Sequence, residues 1–304
     1  MKIFLTGATG YVGSVIAEKL KGKGCQVIGL ARDDDAEKKL SESKIETLRG
    51  ALEDSEVLEK GARESDAVIH TAFSHNFSDY DDAVKLDREV IKNFAAALEQ
   101  TNKPLIVTSS SAILGDTRGN LADEDYPFAE NSPRRLRGEA ERDTLQLSSK
   151  GIRSIVLRLP LFVYGRAGSS FVPFVIKQAK KENSANYVES GAQKVSAVHV
   201  EDAADLYLLA LETSTAKGLY NVAAESVSLK EINEAAGRLL NVGAKSISAE
   251  QARAQFGKMF DFLSINNQLD AEKAKRDLRW SPNSYNSILD DIENGSYRSF
   301  LNQA

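Results

Sequence analysis

Through the first half of the chain, short continuous apolar runs alternate with longer segments whose apolar residues recur at helical spacing. Lys2 to Thr6 is such a run, followed by glycines and an amphipathic helix from Tyr11 to Lys23 that Gly24 closes. Gln26 to Ala31 is a second strand, and a helix follows the charged Arg32-Asp33-Asp34-Asp35. Ile45 to Leu48 and Ala67 to Thr71 give strands three and four, with a helix over Asp54 to Arg63 between them. Beyond a polar loop holding His75, apolar residues Val84, Val90, Ile91, Phe94 and Leu98 predict a helix over Asp81 to Gln100. Pro104 to Thr108 and Ser154 to Leu159 are strands five and six, flanking a charged helix from Pro133 to Ser149. Strands without internal polar alternation are of the type buried on both faces. The pattern therefore predicts an α/β fold with a doubly wound parallel sheet. After Pro160 the alternation weakens, so a sheet domain over 1–160 and a smaller C-terminal substrate lobe over 161–304, with some segments returning to the sheet, are expected.

Composition narrows the function. In 304 residues, 39 basic against 44 acidic side chains leave a net charge of -5, which gives no electrostatic reason to expect nucleic acid or an anionic membrane as partner. A small-molecule substrate is expected instead. The single cysteine, Cys25, offers neither an internal disulfide nor a zinc cluster, and no metal site is expected. The chain enters a strand at once, with no basic leader, and no apolar run reaches the roughly 18 residues of a membrane span. A cytoplasmic protein whose fold begins at Met1 is the expectation.

Thr6-Gly7-Ala8-Thr9-Gly10-Tyr11-Val12-Gly13 joins the first strand to the first helix, the context in which such glycines bind a dinucleotide and make the fold Rossmann-like. Gly7 permits the tight turn, Gly10 lets the backbone approach a pyrophosphate, and Gly13 lets helix pack on strand, while the helix N-terminal amides face the anion. Thr9, Tyr11 and Val12 belong to the same cradle. At the end of strand two, an acid would hold a ribose 2′-hydroxyl and an arginine a 2′-phosphate. Arg32 stands there, with Lys38 and Lys39 following, and a charge-assisted phosphate contact is worth about 1.5–3 kcal/mol. NADP (NADPH) is favoured over NAD, although Asp33, Asp34 and Asp35 leave a ribose contact open.

These glycines, together with Gly50-Ala51-Leu52-Glu53-Asp54, Asp66 to Ala72, Leu157-Arg158-Leu159-Pro160, Val163-Tyr164-Gly165, Ala197 to Ala204, Gly218 to Val222 and Arg276 to Pro282, run through nearly the whole chain. In them the chain resembles the short-chain dehydrogenase/reductase superfamily, in its extended, epimerase/dehydratase-like branch. The resemblance implies cofactor contacts from Leu52, Thr71, Ala72, Phe73, Thr108, Leu159, Pro160 and Leu161. It also implies a Tyr-x-x-x-Lys pair with a Ser or Thr: the tyrosine passes the proton, the lysine lowers its pKa, and the hydroxyl holds the substrate oxygen. Ser111 matches the hydroxyl position. The pair is missing, since none of the nine tyrosines has a lysine four residues later. In the expected helix, Pro133 and Arg137, or Arg134 and Gly138, occupy the two positions. This is the pattern of an atypical member.

Losing a positioned acid/base group costs about 10²–10⁴ in rate, which leaves hydride transfer to an easily reduced ene, quinone or imine, or protonation by another residue. His75, in the loop after strand four, is the first candidate donor. Tyr164 is implied to line the nicotinamide or substrate cleft, with a structural role as the alternative. Arg137 in the lysine's place could bond the nicotinamide ribose but is always charged and cannot shuttle protons. An NADP-dependent oxidoreductase of the atypical short-chain type is expected, with a non-catalytic NADP-binding redox sensor or regulator as the rival. By resemblance, the helices over Asp81–Gln100 and Pro133–Ser149 offer a homodimer.

Overall fold

The computed structural model describes residues 1–73, 80–128, 132–282 and 285–302. Its strands are β1 (Lys2–Thr6), β2 (Gln26–Ala31), β3 (Glu46–Arg49), β4 (Ala67–His70), β5 (Pro104–Ser110), β6 (Leu121–Ala122), β7 (Arg153–Leu159), β8 (Phe162–Tyr164), β9 (Ala185–Val188), β10 (Lys194–His199), β11 (Gly218–Asn221), β12 (Glu225–Ser228), β13 (Ala244–Ile247) and β14 (Gln268–Leu269). Its α-helices are α1 (Tyr11–Gly22), α2 (Asp34–Glu42), α3 (Ser55–Arg63), α4 (Tyr80–Leu98), α5 (Arg135–Gln146), α6 (Phe171–Glu182), α7 (Val200–Glu212), α8 (Leu229–Leu240), α9 (Ala249–Phe256), α10 (Glu272–Leu278) and α11 (Ile288–Glu293).

Seven strands form one sheet in the order β11-β7-β5-β4-β1-β2-β3, every pairing parallel. The order runs outward in both directions from β1 and β4, and the crevice beyond their C-terminal ends is where open α/β sheets bind ligands. One face of the sheet is covered by α1 and α7, whose Val15, Ile16, Leu20, Leu206 and Tyr207 are buried with Ile3, Leu5 and Ile69. The other is covered by α3 and α4, where Leu58, Val90, Phe94 and Leu98 pack on Phe4, Val68 and Leu105. Fully burying an aliphatic or phenyl side chain contributes about 1.5–3 kcal/mol, so these two layers account for the sheet's cohesion.

A third core holds the smaller lobe together, with Phe162, Ile176, Val195, Ile232, Phe260 and Tyr297 in it. The lobe is built from the three strands β12-β10-β8 and the pair β13-β9, covered by α6, α8 and α9. The chain crosses between the two bodies more than once. β11 joins the main sheet beside β7, and α7 packs on α1. Phe162, Phe171, Phe174 and Phe260 lie in or against the lobe's core.

Some boundaries differ from the sequence pattern. β5 runs on to Ser110, and α5 starts at Arg135 because Pro133 lies in a turn in which the Arg134 amide donates to Ser132 Oγ.

Candidate functional site

The turn after β1 has the shape a diphosphate needs. Gly7 has φ +75°, and a Cβ on it would sit 2.6 Å from Thr71 Oγ1 and 2.7 Å from the Ala72 amide nitrogen. A Cβ on Gly13 would come within 2.1 Å of the Gly7 carbonyl oxygen, so both glycines are fixed by contact with protein. Gly10 differs: a Cβ there meets only Gly7 O, at 3.1 Å, and otherwise faces open space. Gly10 is also the N-cap of α1 and offers no side-chain cap, and the first turn carries no acidic residue. The amide dipoles at this helix end are therefore left uncompensated by the protein, the electrostatics of an anion site. Thr9 is exposed at the rim, and Val12 is half-buried against the core. The Tyr11 hydroxyl donates to the Gly165 carbonyl at 2.7 Å. Burial is the main reason its phenol ionises far above the usual tyrosine range.

At the end of β2, Arg32 has 81% of its side chain exposed and lies 3.0 Å from Asp33 Oδ2. Asp33 caps α2 by accepting from the Ala36 amide at 2.8 Å, and this bond, then Arg32, holds its carboxyl below the ordinary aspartate range. Both Asp33 oxygens are thereby engaged, while Asp34 pairs with Arg49 at 2.8 Å. Leu52 is half-buried against the α3–α4 core. Asp54 Oδ2 accepts from the Ala51 amide at 2.6 Å, which closes this loop.

Around the position of the missing pair the structure shows a buried polar chain. Thr6 Oγ1 lies 2.6 Å from His70 Nδ1, and His70 Nε2 lies 3.0 Å from Asp87 Oδ1. Asp87 Oδ2 forms an ion pair at 2.6 Å with Arg137 Nη1, and Arg137 Nη2 donates to the Thr108 carbonyl at 2.7 Å. Thr108 Oγ1 donates to the His70 carbonyl at 2.9 Å and shares a 2.7 Å hydrogen bond with Tyr207 Oη. Arg137 is 7% exposed, with its guanidinium 4.1 Å from the centroid of Phe73. Through these two partners Arg137 braces β5 against α4. Burial would raise the Asp87 pKa, but the Arg137 and His70 partners outweigh it and hold the group below the usual aspartate range.

Other expected residues divide. Ser111 is fully buried, and its Oγ has no hydrogen-bond partner among the described residues. Thr71 Oγ1 donates to the Thr6 carbonyl at 2.8 Å, and with Ala72 it lines the Gly7 turn. Leu159, Pro160 and Leu161 are buried where β7 leads into β8. Tyr164 is corrected as a catalytic candidate. It is 3% exposed, and its hydroxyl lies 2.7 Å from Glu225 Oε1 and 2.9 Å from the Asn286 carbonyl oxygen, its one proton facing two acceptors, a tie between parts of the smaller lobe. Burial and then the Glu225 charge drive its pKa far up, which unsuits it further for proton transfer. His75 lies outside the described residues.

Sequence reasoning missed Asp87, and it placed Arg134 only as one occupant of the missing pair's positions. Asp87 sits three residues after Val84 and three before Val90, on the buried stripe of α4, and an acid at a core position of an otherwise regular pattern is itself the signal. Arg134, one position before α5, stacks its guanidinium 4.1 Å from the Phe262 centroid.

A parallel doubly wound sheet with a glycine-lined anion cradle at its switch point defines a dinucleotide-binding fold. Residues 3–223 match the model of the NAD dependent epimerase/dehydratase family, and the chain belongs to it. It is 38% identical over 98% of its length to an uncharacterized protein of Schizosaccharomyces pombe, all of which is covered. A ketoreductase of Stigmatella aurantiaca acting on a 4-hydroxy-2-methyl-3-oxo-4-farnesyl-3,4-dihydroquinoline-1-oxide is 28% identical over 72% of this chain and 67% of that one. The dTDP-glucose 4,6-dehydratase of Bacillus anthracis, solved in complex with NAD, has the same fold, with a TM-score of 0.77 at 16% identity over 100% of this chain and 97% of that one.

Proposed function

We propose that the chain is an NADP-dependent oxidoreductase of the atypical short-chain type that reduces a small organic substrate. The observation that carries this reading is the α1 N-terminus, uncapped and free of acid, facing the open space at Gly10. Gly7, Thr9, Gly10 and Val12 would hold the pyrophosphate, Arg32 the 2′-phosphate, and Leu52 the adenine. Thr71, Ala72, Phe73 and Leu159 to Leu161 would border the rest of the dinucleotide. When bound, a reduced nicotinamide supplies hydride. Ser111, with its unpartnered Oγ, holds the substrate oxygen. The ketoreductase name of the Stigmatella aurantiaca relative supports reduction as the direction.

Arg32 favours NADP because the competing acid beside it is already engaged as a helix cap. The test is a calorimetric titration with NADPH and NADH, alongside Arg32→Ala. NADPH binding that the substitution weakens about ten- to hundredfold, with NADH little changed, supports the reading. Equal loss for both cofactors removes Arg32 from specificity, and binding of neither overturns the reading.

A further inference from the structure

Five arginines of the described chain are not surface-exposed: Arg88, Arg134, Arg137, Arg153 and Arg158. Four have their charge answered by protein. Arg88 pairs with Glu139 and Asp143, Arg137 with Asp87, and Arg158 with Glu141. Arg153 donates to the carbonyls of Ala210, Leu211 and Thr213. Arg134 is the exception: among the described residues its side chain makes no ion pair or hydrogen bond.

Arg134 is half-buried, and this partial burial lowers its pKa more than Tyr80 and Asp261, the ionisable groups facing it, raise it. Asp261 is exposed and beyond ion-pair distance. The cation is held in place by stacking on Phe262, which packs edge-on against Phe171 at 5.5 Å. Arg134 thus spans from the start of α5 to the core of the smaller lobe. α5 in turn packs on the turn Ser111–Leu114.

We propose that Arg134 is the anion-binding residue of the substrate site and that the substrate is a small carboxylic acid, its carboxylate taken by the guanidinium in front of the Phe262 ring. The proposal rests on the oxidoreductase reading, because it takes the space between α5, Ser111 and the smaller lobe as the substrate site. Arginine suits a carboxylate since its planar fork can give two parallel hydrogen bonds, and the aromatic face behind it fixes the fork's plane.

The probe is benzoate, with neutral benzamide as its isostere, titrated calorimetrically into the full-length protein with and without NADPH. The wild type should bind benzoate at least about tenfold more tightly than benzamide, the scale of one charge-assisted contact. Arg134→Leu should lose that preference, and Arg134→Lys should retain part of it as a point charge. Benzoate and benzamide binding alike to the wild type, no saturable benzoate binding at millimolar concentration, or an unchanged preference in Arg134→Leu would each overturn the proposal. The wild-type comparison decides even where a variant folds poorly. NADPH binding is read in the same experiment, so loss of the cofactor reading and loss of the anion site give different results.

Discussion

Asp87→Asn tests whether the buried chain from Thr6 to Thr108 is held by charge. The Asp87 carboxylate is 4% exposed, 3.0 Å from His70 Nε2, and it is the ion-pair partner of an Arg137 side chain that is 9% exposed. Replacing the acid by its amide keeps the shape but leaves a guanidinium in the interior without a counter-ion, and breaking a buried pair from one side costs about 3–5 kcal/mol. Against a domain stability of about 5–15 kcal/mol, that is a large fraction. Removing both charges in Asp87→Asn/Arg137→Met should recover at least about 2 kcal/mol, because the penalty belongs to the orphaned cation and not to the missing bond. Urea denaturation followed by circular dichroism gives all the corners of this double-mutant cycle. A cost below about 1 kcal/mol for Asp87→Asn, or a double variant as unstable as the sum of the singles, would refute the reasoning. The pH dependence follows from the same pair. Asp87 has a lowered pKa in the folded state, so its contribution is fully present above the unfolded aspartate value of about 4 and is lost as pH falls from there through the folded value.

Gly13→Ala places a Cβ 2.1 Å from the Gly7 carbonyl oxygen, so the variant should lose NADPH binding in a titration even where its secondary structure survives; unchanged affinity would show that the turn can yield. Tyr164→Phe should lower the urea midpoint by the equivalent of about 1 kcal/mol and leave NADPH affinity as it is, and a change confined to affinity would return this residue to the site. The outer surface of α4 and α5 carries Asp81, Asp82, Lys85, Glu89, Lys92, Arg135, Arg142 and Asp143, with Arg88–Asp143, Lys92–Glu89 and Arg135–Glu139 paired within the chain. So many charges weigh against close packing of two copies there, and light scattering after size exclusion should give a monomer at micromolar concentration.

The sheet was legible because each buried parallel strand leaves a continuous apolar run, and the glycine turn because three positions with three steric tasks fall between such a run and a helix. The smaller lobe was not: β9 pairs with β13 and β8 with β10 across long stretches of sequence, and four-residue strands of mixed polarity carry no period. The roles of Arg137 and Tyr164 escaped for a related reason. Each looks free within its own segment, and the partners that fix them, Asp87 on α4 and Glu225 on β12, are contributed by distant elements. Motif position told where these side chains stand, and only the tertiary partners told what their polar atoms do.

The loop after β8 has Gly165, Arg166, Ala167 and Ser169 all at positive φ, a conformation unfavourable for three of them. It is clamped by Tyr11, which donates to Gly165 O, and by Tyr297, which donates to Gly168 O at 2.9 Å and accepts from the Gly165 amide at 3.2 Å. One jaw of the clamp thus comes from the helix that follows the glycine turn and the other from the segment Ser296–Asn302. During synthesis on the ribosome, the first of these emerges long before the second. The loop after β8 therefore waits for Tyr297 to be made before both jaws close, and deleting Ser296–Asn302 should loosen a loop whose other jaw, Tyr11, was translated long before.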